Sequence, residues 1–348
     1  MADIEKVMGV GATDIEKIMG VAAGDTEKVM GVTLSLGTLV WHGDRAVGFG
    51  GRNQNVIQYK AVTSNGNTTD FGDLSATSQY GNALGDSSRA VHSISVEDAT
   101  DYSSNILEYV TVGSTGNAAD FGDLSVARGY AGGSTNGITG LFAGGYTDSA
   151  YRSNVIDYIT LGSLGNATDF GDLIIRLYEG SGSDFGSSSR AGVCNTVRGV
   201  WGSGYSSGVT GNEMEEIEYV TIASAGDATD FGDLTDALTA RTAVESSTRG
   251  VFWSGREGGS NDDQVNIIDY ITVGSTGDAT DFGDQTVLCD WSTNGMGNLT
   301  RGERWGGTNT SGTQQDVIQY ITIASTGNST DAGNLLGATD ANGGCSGT

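Results

Sequence analysis

Residues 155–173 read VIDYITLGSLGNATDFGDL, which is an apolar strand-like run, a glycine-containing turn and a second strand-like block. This pair of blocks occurs six times along the 348 residues. The tyrosine of the first block marks each repeat, at Tyr59, Tyr109, Tyr158, Tyr219, Tyr270 and Tyr320. Successive tyrosines are 50, 49, 61, 51 and 50 residues apart. Such a period is typical of folds in which each unit buries its apolar surface against its neighbours.

Each repeat holds about four strand candidates separated by Gly, Ser and Asn turns, and none has a helical period long enough for a helix. The first block is almost continuously apolar, as expected of a strand in a sheet covered on both faces. We therefore predict an all-β fold, a six-bladed β-propeller with four-stranded blades over residues 34–348, preceded by a short repeat extension over residues 1–33. The phenylalanine of the second block should lie in an outer strand and pack between blades, at Phe71, Phe121, Phe170, Phe231 and Phe282.

Two segments compete to complete the first blade. Leu36–Gly43 precedes the first repeat and Ala338–Thr348 follows the last one. We favour the C-terminal segment as the closing inner strand, with residues 39–41 leading into the first blade. The 61-residue spacing places the main insertion near Tyr178–Cys194, in a Gly- and Ser-rich loop on one rim. Variable loops of this kind commonly carry binding functions.

The composition is strongly acidic, with 43 Asp and Glu residues against 17 Lys and Arg residues and a net charge of −26. Because binding to a phosphate backbone needs cations, nucleic acid is a poor partner. The chain has no apolar run of transmembrane length and no signal-peptide pattern, so we expect neither membrane insertion nor Sec-type export. Cys194, Cys289 and Cys345 are widely spaced, which indicates buried or incidental thiols instead of a disulfide framework or a zinc site.

Residues that commonly perform catalysis are sparse. Only His42 and His92 supply an imidazole, and we interpret both as structural because no nucleophile recurs beside them. Asp227, Asp230 and Asp233 offer the oxygen ligands that calcium prefers, but without the spacing of an EF-hand. One aspartate per repeat is expected instead to bond a nearby backbone amide, at Asp70, Asp120, Asp169, Asp230, Asp281 and Asp331. We predict no catalytic, cofactor or metal site, and we interpret the repeated tyrosines as core or inter-blade residues.

The first 33 residues carry a different repeat, with a period of 11 residues: DIEKVMGV, DIEKIMGV and DTEKVMGV. We expect each copy to form one helical turn begun by its aspartate, followed by an extended Met-Gly-Val link, because Gly inside one unbroken helix costs about 1 kcal/mol. The segment is either a flexible tail or an anchor. We favour an anchor, because three apolar repeats need a partner to cover them. The predicted partner-binding residues are Ile4, Val7, Met8, Ile15, Ile18, Met19, Val29 and Met30.

Two resemblances to known families concern long stretches of the chain. The Gly-Gly pairs at Gly50–Gly51, Gly144–Gly145 and Gly306–Gly307, each followed by a tyrosine strand, resemble the second strand of kelch repeats. This likeness implies a kelch-like architecture and carries no catalytic residue across. The Val-Met-Gly-Val repeats, followed by blades with Tyr-Ile-Thr and Ala-Thr-Asp-Phe-Gly-Asp-Leu, look like virion structural proteins of tailed bacteriophages, especially marine ones.

The second resemblance implies a non-enzymatic virion component, assembled in the host cytoplasm, and leaves tail fibre, baseplate, neck and capsid decoration open as its place. Residues 1–33 would attach to other virion proteins, and the propeller would contact protein or host-surface glycan. The tryptophans offer stacking surfaces, although core packing suits most of them: Trp41, Trp201, Trp253, Trp291 and Trp305. The alternatives are a propeller-fold carbohydrate-active enzyme and a bacterial interaction scaffold.

Overall fold

The structure of the protein is a computed structural model. It describes residues 43–95, 103–147, 153–174, 191–204, 214–257, 264–290, 295–340 and 343–347, and the backbone of four short strands before residue 35. The chain divides into two compact units, Met1–Val40 and Trp41–Thr348. All regular elements among the described residues are strands. None of these residues forms a helix with the length and hydrophobicity that a membrane span requires.

The first unit contains two antiparallel strand pairs. They are β1 (Lys6–Val7) with β2 (Val10–Gly11), and β3 (Glu27–Val29) with β4 (Val32–Leu34). In both pairs, the valines before and after the Met-Gly dipeptide lie opposite each other. The prediction of a helical turn is therefore wrong for the described parts of the first and third copies. Valines on both sides of a two-residue connection that contains Gly favour a hairpin. The middle copy lies outside the described residues.

The second unit contains strands β5 to β28. In chain order they are β5 (Arg45–Gly51), β6 (Gln54–Ala61), β7 (Thr69–Asp73), β8 (Asn82–Gly85), β9 (Arg89–Ser93), β10 (Ser104–Thr111), β11 (Ala119–Arg128), β12 (Gly132–Thr135), β13 (Thr139–Ala143), β14 (Val155–Thr160), β15 (Thr168–Asp172), β16 (Ala191–Cys194), β17 (Arg198–Gly202), β18 (Glu216–Thr221), β19 (Thr229–Asp233), β20 (Thr242–Glu245), β21 (Arg249–Arg256), β22 (Gln264–Thr272), β23 (Thr280–Asp284), β24 (Met296–Gly297), β25 (Arg301–Trp305), β26 (Gln315–Thr322), β27 (Thr330–Thr339) and β28 (Gly343–Gly347).

These strands form six antiparallel four-stranded sheets, the blades of a six-bladed β-propeller. Blades two to six each take four consecutive strands, beginning with β8, β12, β16, β20 and β24. Blade one combines β28 with β5, β6 and β7, in that order. The prediction that the C-terminal segment supplies the closing strand is therefore confirmed, with Cys345 opposite Val47 in the ladder. Residues 39–41, the predicted lead-in, lie outside the described residues. Within each blade we number the strands first to fourth in the order of the sheet, so that β28 is the first strand of blade one.

Apolar clusters lie between successive blades, one at each of the six junctions. At the junction of blades two and three, Val91 and Phe121 pack with Phe142 and Ile159 of the next blade. All five phenylalanines that we predicted to pack between blades are buried in these clusters. Each of them also meets the tyrosine of its own blade edge-on, with ring centroids 5.7–6.2 Å apart. In blade six, Ala332 replaces the phenylalanine.

Hydrogen bonds join the blades at their fourth strands. The connection before each fourth strand makes the same three bonds to the preceding blade at all six junctions. Between blades two and three, the amide of Gly165 donates to the carbonyl of Phe121 at 2.9 Å, and that of Ala167 to the carbonyl of Asp123 at 2.7 Å. The amide of Asp123 donates to Oδ1 of Asn166 at 3.2 Å. We call this three-bond contact the junction latch.

The latch explains the glycines of the second block and corrects the role of its aspartates. Gly122 has a φ of 146°, and a Cβ there would lie 2.4 Å from the carbonyl oxygen of Gly165. Asp331 bonds the amide of Gly333 through its carboxylate at 3.0 Å, as predicted. For the other five recurrent aspartates, all of them in the described chain, the prediction is wrong. The backbone bond is made instead by the first residue of the block, such as Asn166, and it reaches the preceding blade.

Arginines at the start of the second strands add a further link. The guanidinium groups lie 3.6–4.8 Å from the centroid of the tyrosine ring in their own blade, at Arg45, Arg89, Arg198, Arg249 and Arg301. Arg45 also donates to the carbonyl of Val112 in the next blade at 2.8 Å, and Arg89 to that of Leu161 at 2.5 Å. Cation–π contacts of this kind stabilise exposed sites modestly and buried ones more. The residues that recur in the blades therefore build the ring.

Candidate functional site

The predicted anchor residues belong to the first unit. Val7 lies in β1 and Val29 in β3, at the same position of two strand pairs. The remaining anchor residues lie outside the described residues: Ile4, Met8, Ile15, Ile18, Met19 and Met30. The first and third copies of the 11-residue repeat therefore share one backbone arrangement around the Met-Gly dipeptide.

The two faces of the propeller differ in their connections. On one face, the third-to-fourth connections all have seven residues, as in 161–167, and the first-to-second connections of blades two to six have three, as in 136–138. We call this the constant-loop face. On the variable-loop face, the second-to-third connections range from residues 52–53 to residues 203–215, and the longest fourth-to-first connection is 173–190. The insertion that we predicted near Tyr178–Cys194 overlaps this last connection, but its final four residues form β16 (Ala191–Cys194) and are not part of a loop. Residues 175–190 lie outside the described residues.

Buried carboxylates hold connections of the variable-loop face. Asp290 accepts hydrogen bonds from Nε of Arg256 at 2.7 Å and from Nε2 of Gln264 at 2.8 Å, the residues on either side of the second-to-third connection of blade five. Asp340 accepts in the same way from Arg52, Thr308 and Gln314. Burial raises the pKa of Asp290 to about 6, although nearby arginines oppose that rise. The ends of these variable connections are thus fixed by charged hydrogen bonds.

A narrow cavity is lined by the first strands of all six blades. It contains about 510 Å³ of empty space, including the part open to solvent. Its lining is mostly small or apolar, and the ionisable side chains in it are Glu245 and Cys345. The first strands converge closely, since a Cβ at Gly192 would lie 2.0 Å from the carbonyl oxygen of Gly133. Small residues therefore let the blades meet here.

Glu245 supplies the carboxyl group of this cavity lining. Its Oε1 accepts a hydrogen bond from the Cys194 thiol at 3.6 Å, and the same thiol contacts the carbonyl of Thr135. Burial raises the pKa of Glu245 to about 8, and the bond from Cys194 opposes that rise. Burial and the charge of Glu245 raise the pKa of Cys194 well above its usual value. At neutral pH the cavity therefore holds a mostly protonated acid beside a thiol, and a thiol is a poor nucleophile.

His92 is the histidine that lies in the described part of the chain, and its surroundings agree with a structural role. Its Nε2 lies 2.9 Å from Oγ of Ser78, and its ring stacks on Phe49 with a centroid distance of 5.1 Å. Both ring faces are excluded from water, since the residue is 0% exposed. Burial lowers the pKa of His92 to about 3, so the ring is neutral at physiological pH. This pair resembles a Ser–His dyad in distance, but water and substrate have no access to it. His42 lies outside the described residues.

The described tryptophans and cysteines belong to the scaffold. Core packing is confirmed for the fully buried Trp201, Trp253 and Trp305, whereas residues 41 and 291 lie outside the described chain. The cysteines form no disulfide: Cys194 and Cys289 are buried free thiols, and Cys345 is a half-buried one. The expectation of a buried thiol is therefore confirmed for Cys194 and Cys289.

Of the three aspartates that we considered for calcium, Asp227 takes part in a junction latch through its carboxylate and Asp233 through its backbone. Oδ1 of Asp227 accepts a hydrogen bond from the amide of Asp172 at 3.1 Å. Burial and the nearby charge of Asp278 raise the pKa of Asp233. Across the described ranges, no group of three or more His, Cys, Asp or Glu side chains is arranged to hold a metal ion.

No protein-family model and no curated protein matches this chain. The functional argument therefore depends on the positions where the blades differ. Glu245 is one such position that the sequence analysis missed. In the ladders it is equivalent to Gly85, Thr135, Cys194, Gly297 and Ser346. An alignment of the first strands would have shown it as the charged member of the series.

Proposed function

We propose that this chain is a non-enzymatic structural component of a tailed-phage virion. Residues 1–33 attach the protein to other particle proteins, and the propeller presents its variable-loop face to host-surface glycan or protein. The observation that carries the contact role is the difference between the two faces. The virion itself is proposed from the resemblance of the Val-Met-Gly-Val repeats and the blade motifs to phage structural proteins.

The connections on the constant-loop face hold the blades of the ring together. Its seven-residue connections supply the amides of the junction latch, such as those of Gly165 and Ala167. A change of length there would break contacts between blades. The connections of the variable-loop face differ several-fold in length, from 52–53 to 203–215. A propeller therefore tolerates variation on this face, and variable loops on a rigid scaffold are a common means of recognition.

Deletion of residues 1–33 tests the anchor. The truncated protein is expected to keep the β-sheet circular dichroism of the propeller and to be missing from purified particles, whereas the full chain is incorporated. Both proteins are produced during infection and quantified in particles by mass spectrometry. Incorporation of the truncated protein at the level of the full chain would refute attachment through these residues.

A second variant separates contact from attachment. Replacing residues 175–190 by a connection as short as residues 74–81 leaves the N-terminal repeats unchanged. Particles carrying this variant are expected to contain the protein and to adsorb to host cells more weakly. If adsorption were unchanged, the insertion would not be part of the contact surface. A glycan-cleavage screen of the purified protein addresses the carbohydrate-active alternative, which would be supported by activity that disappears when rim carboxylates are replaced by amides.

A further inference from the structure

One position pair can be followed around the whole ring. It joins the third residue of each second strand to the residue after the tyrosine in the third strand of the next blade. At five junctions both residues are apolar and share one buried cluster: Val47 with Val110, Val91 with Ile159, Leu141 with Val220, Val200 with Ile271, and Val251 with Ile321. These five interfaces therefore have the same chemistry at this position.

At the sixth junction, where blade six meets blade one, the pair is Glu303 and Lys60. Nζ of Lys60 lies 2.6 Å from Oε1 of Glu303, and the two side chains are 3% and 0% exposed. Lys60 is also the only lysine of the propeller unit, since the other three precede residue 29. At the other five junctions the paired residues come from consecutive repeats, whereas Lys60 and Glu303 are 243 residues apart in the chain. The junction that forms only when the ring closes thus carries a buried ion pair at this position instead of an apolar contact.

The surroundings of the pair satisfy both charges. Oε2 of Glu303 accepts a hydrogen bond from Nε1 of Trp305 at 3.0 Å, and Oε1 accepts another from Nε of Arg301 at 3.1 Å. Nζ of Lys60 also donates to the carbonyl of Ser64 at 3.1 Å. A buried pair with its hydrogen bonds complete is tolerated, whereas either charge buried without its partner is strongly unfavourable. Without Glu303, Lys60 would be a buried charge with no anion beside it among the described residues. Without Lys60, Glu303 would keep Arg301 as its one remaining cation in the described chain, with Nη2 3.1 Å from Oε1.

We propose that Lys60 and Glu303 are a closure key, which makes the free faces of blades one and six join to each other and to no other surface. Before the ring closes, these two faces are the ones without a neighbouring blade. Each then exposes a hydrated charge where the other blades have Val, Leu or Ile. Packing Lys60 or Glu303 against an apolar face would bury an unpaired charge, and contact between two copies of the same face would oppose like charges. The pair thus gives specificity because it makes contact of either face with any other surface unfavourable.

The test replaces the key by the residues of the other junctions. The double variant Lys60→Ile/Glu303→Val reproduces the pair at Val200 and Ile271. Glu303→Val leaves Lys60 as a buried charge without an anion and is expected to shift the unfolding equilibrium by roughly 100- to 1,000-fold towards the unfolded state. Lys60→Ile leaves Glu303 with Arg301 as its cation and is expected to shift the equilibrium in the same direction by a smaller factor. The double variant is expected to recover most of that loss. A denaturant titration of the full-length proteins measures these shifts, and Val91→Ile/Ile159→Val serves as an apolar control at another junction.

Refolding from denaturant over a range of protein concentrations distinguishes a key from a simple stabilising contact. The double variant is expected to lose recovered native protein increasingly as concentration rises, because its open chains no longer carry a charge on their otherwise apolar end faces, whereas the control should refold like the wild type. Equal recovery of the double variant and the wild type at every concentration would overturn the proposal. A double variant as unstable as the single variants would also overturn it, because the pair would then stabilise the junction without selecting it.

Discussion

Replacing Gly122 by alanine tests whether the junction latch holds the blades together. The new Cβ would lie 2.4 Å from the carbonyl oxygen of Gly165, and the φ of 146° is one that alanine rarely adopts. Relief of the clash must separate the fourth strand of blade two from blade three. Backbone strain of about 1–3 kcal/mol and the loss of latch hydrogen bonds worth about 1 kcal/mol each predict a loss of roughly 3–4 kcal/mol in unfolding free energy.

Urea denaturation of the full-length protein measures this loss as a lower midpoint. Gly162→Ala is the matched control, because it lies in the connection that carries Gly165 and a Cβ there would meet nothing within 4 Å. We expect the control to unfold like the wild type within about 0.5 kcal/mol. If Gly122→Ala unfolded at the same urea concentration as the control, the latch would not contribute to stability and this explanation of the repeated glycine would be incorrect.

Three further variants test individual groups by their unfolding free energies. The pKa of Glu245 is about 8 in the folded protein and 4.5 when the side chain is not buried, as in the unfolded chain. The wild type should therefore lose stability as pH rises from 4.5 through 8, because the unfolded state loses its proton first. Glu245→Gln should remove this dependence and be more stable than the wild type at pH 8 by at most about 4 kcal/mol; equal pH profiles would contradict the protonated state. Burial lowers the pKa of His92 from 6.5 to about 3. The free energy of unfolding should therefore decrease as pH drops from 6.5 towards 3, by at most about 4 kcal/mol. His92→Gln should make this decrease smaller. Arg198→Ala loses the contact with Tyr219 and the 3.3 Å hydrogen bond to the carbonyl of Val273. It should lower the free energy of unfolding by about 1–2 kcal/mol. A melting temperature equal to that of the wild type would rule out a stabilising role for these two contacts.

The repeat period was sufficient to predict the blades. Regular spacing of the tyrosines, with an apolar strand around each one, predicted four-stranded units. The phenylalanine of the second block was correctly placed between blades, because a large apolar residue that recurs in every unit must be covered by the next unit. One first-strand candidate too many indicated that a terminal segment closes blade one, but it left both termini open, and the ladder of β28 with β5 confirms the C-terminal segment that we favoured.

Features that depend on contacts between repeats were harder to predict. The recurrent aspartates, such as Asp169, suggested local turns, but the bond that matters runs from Asn166 to the preceding blade and is invisible in a single repeat. The N-terminal repeats carry an aspartate typical of a helix start, yet the valines and the Met-Gly dipeptide produce hairpins. Glu245 became notable only when the ladders aligned it with its neighbours around the cavity.

Ring closure by the C-terminal strand supports both the fold and the closure key. Val47 lies opposite Cys345 in the ladder, and opposite residues of antiparallel strands have Cα atoms about 4.5–5.5 Å apart, a separation that a disulfide spans. The most direct measurement is peptide mapping of Val47→Cys after oxidative refolding, with Ala46→Cys as the control, because residue 46 points to the other face of the strand. We predict a disulfide between residues 47 and 345 in the first variant and no link to Cys345 in the control. Native-like Val47→Cys protein without this disulfide, or equal linkage in both variants, would contradict closure by the C-terminal strand.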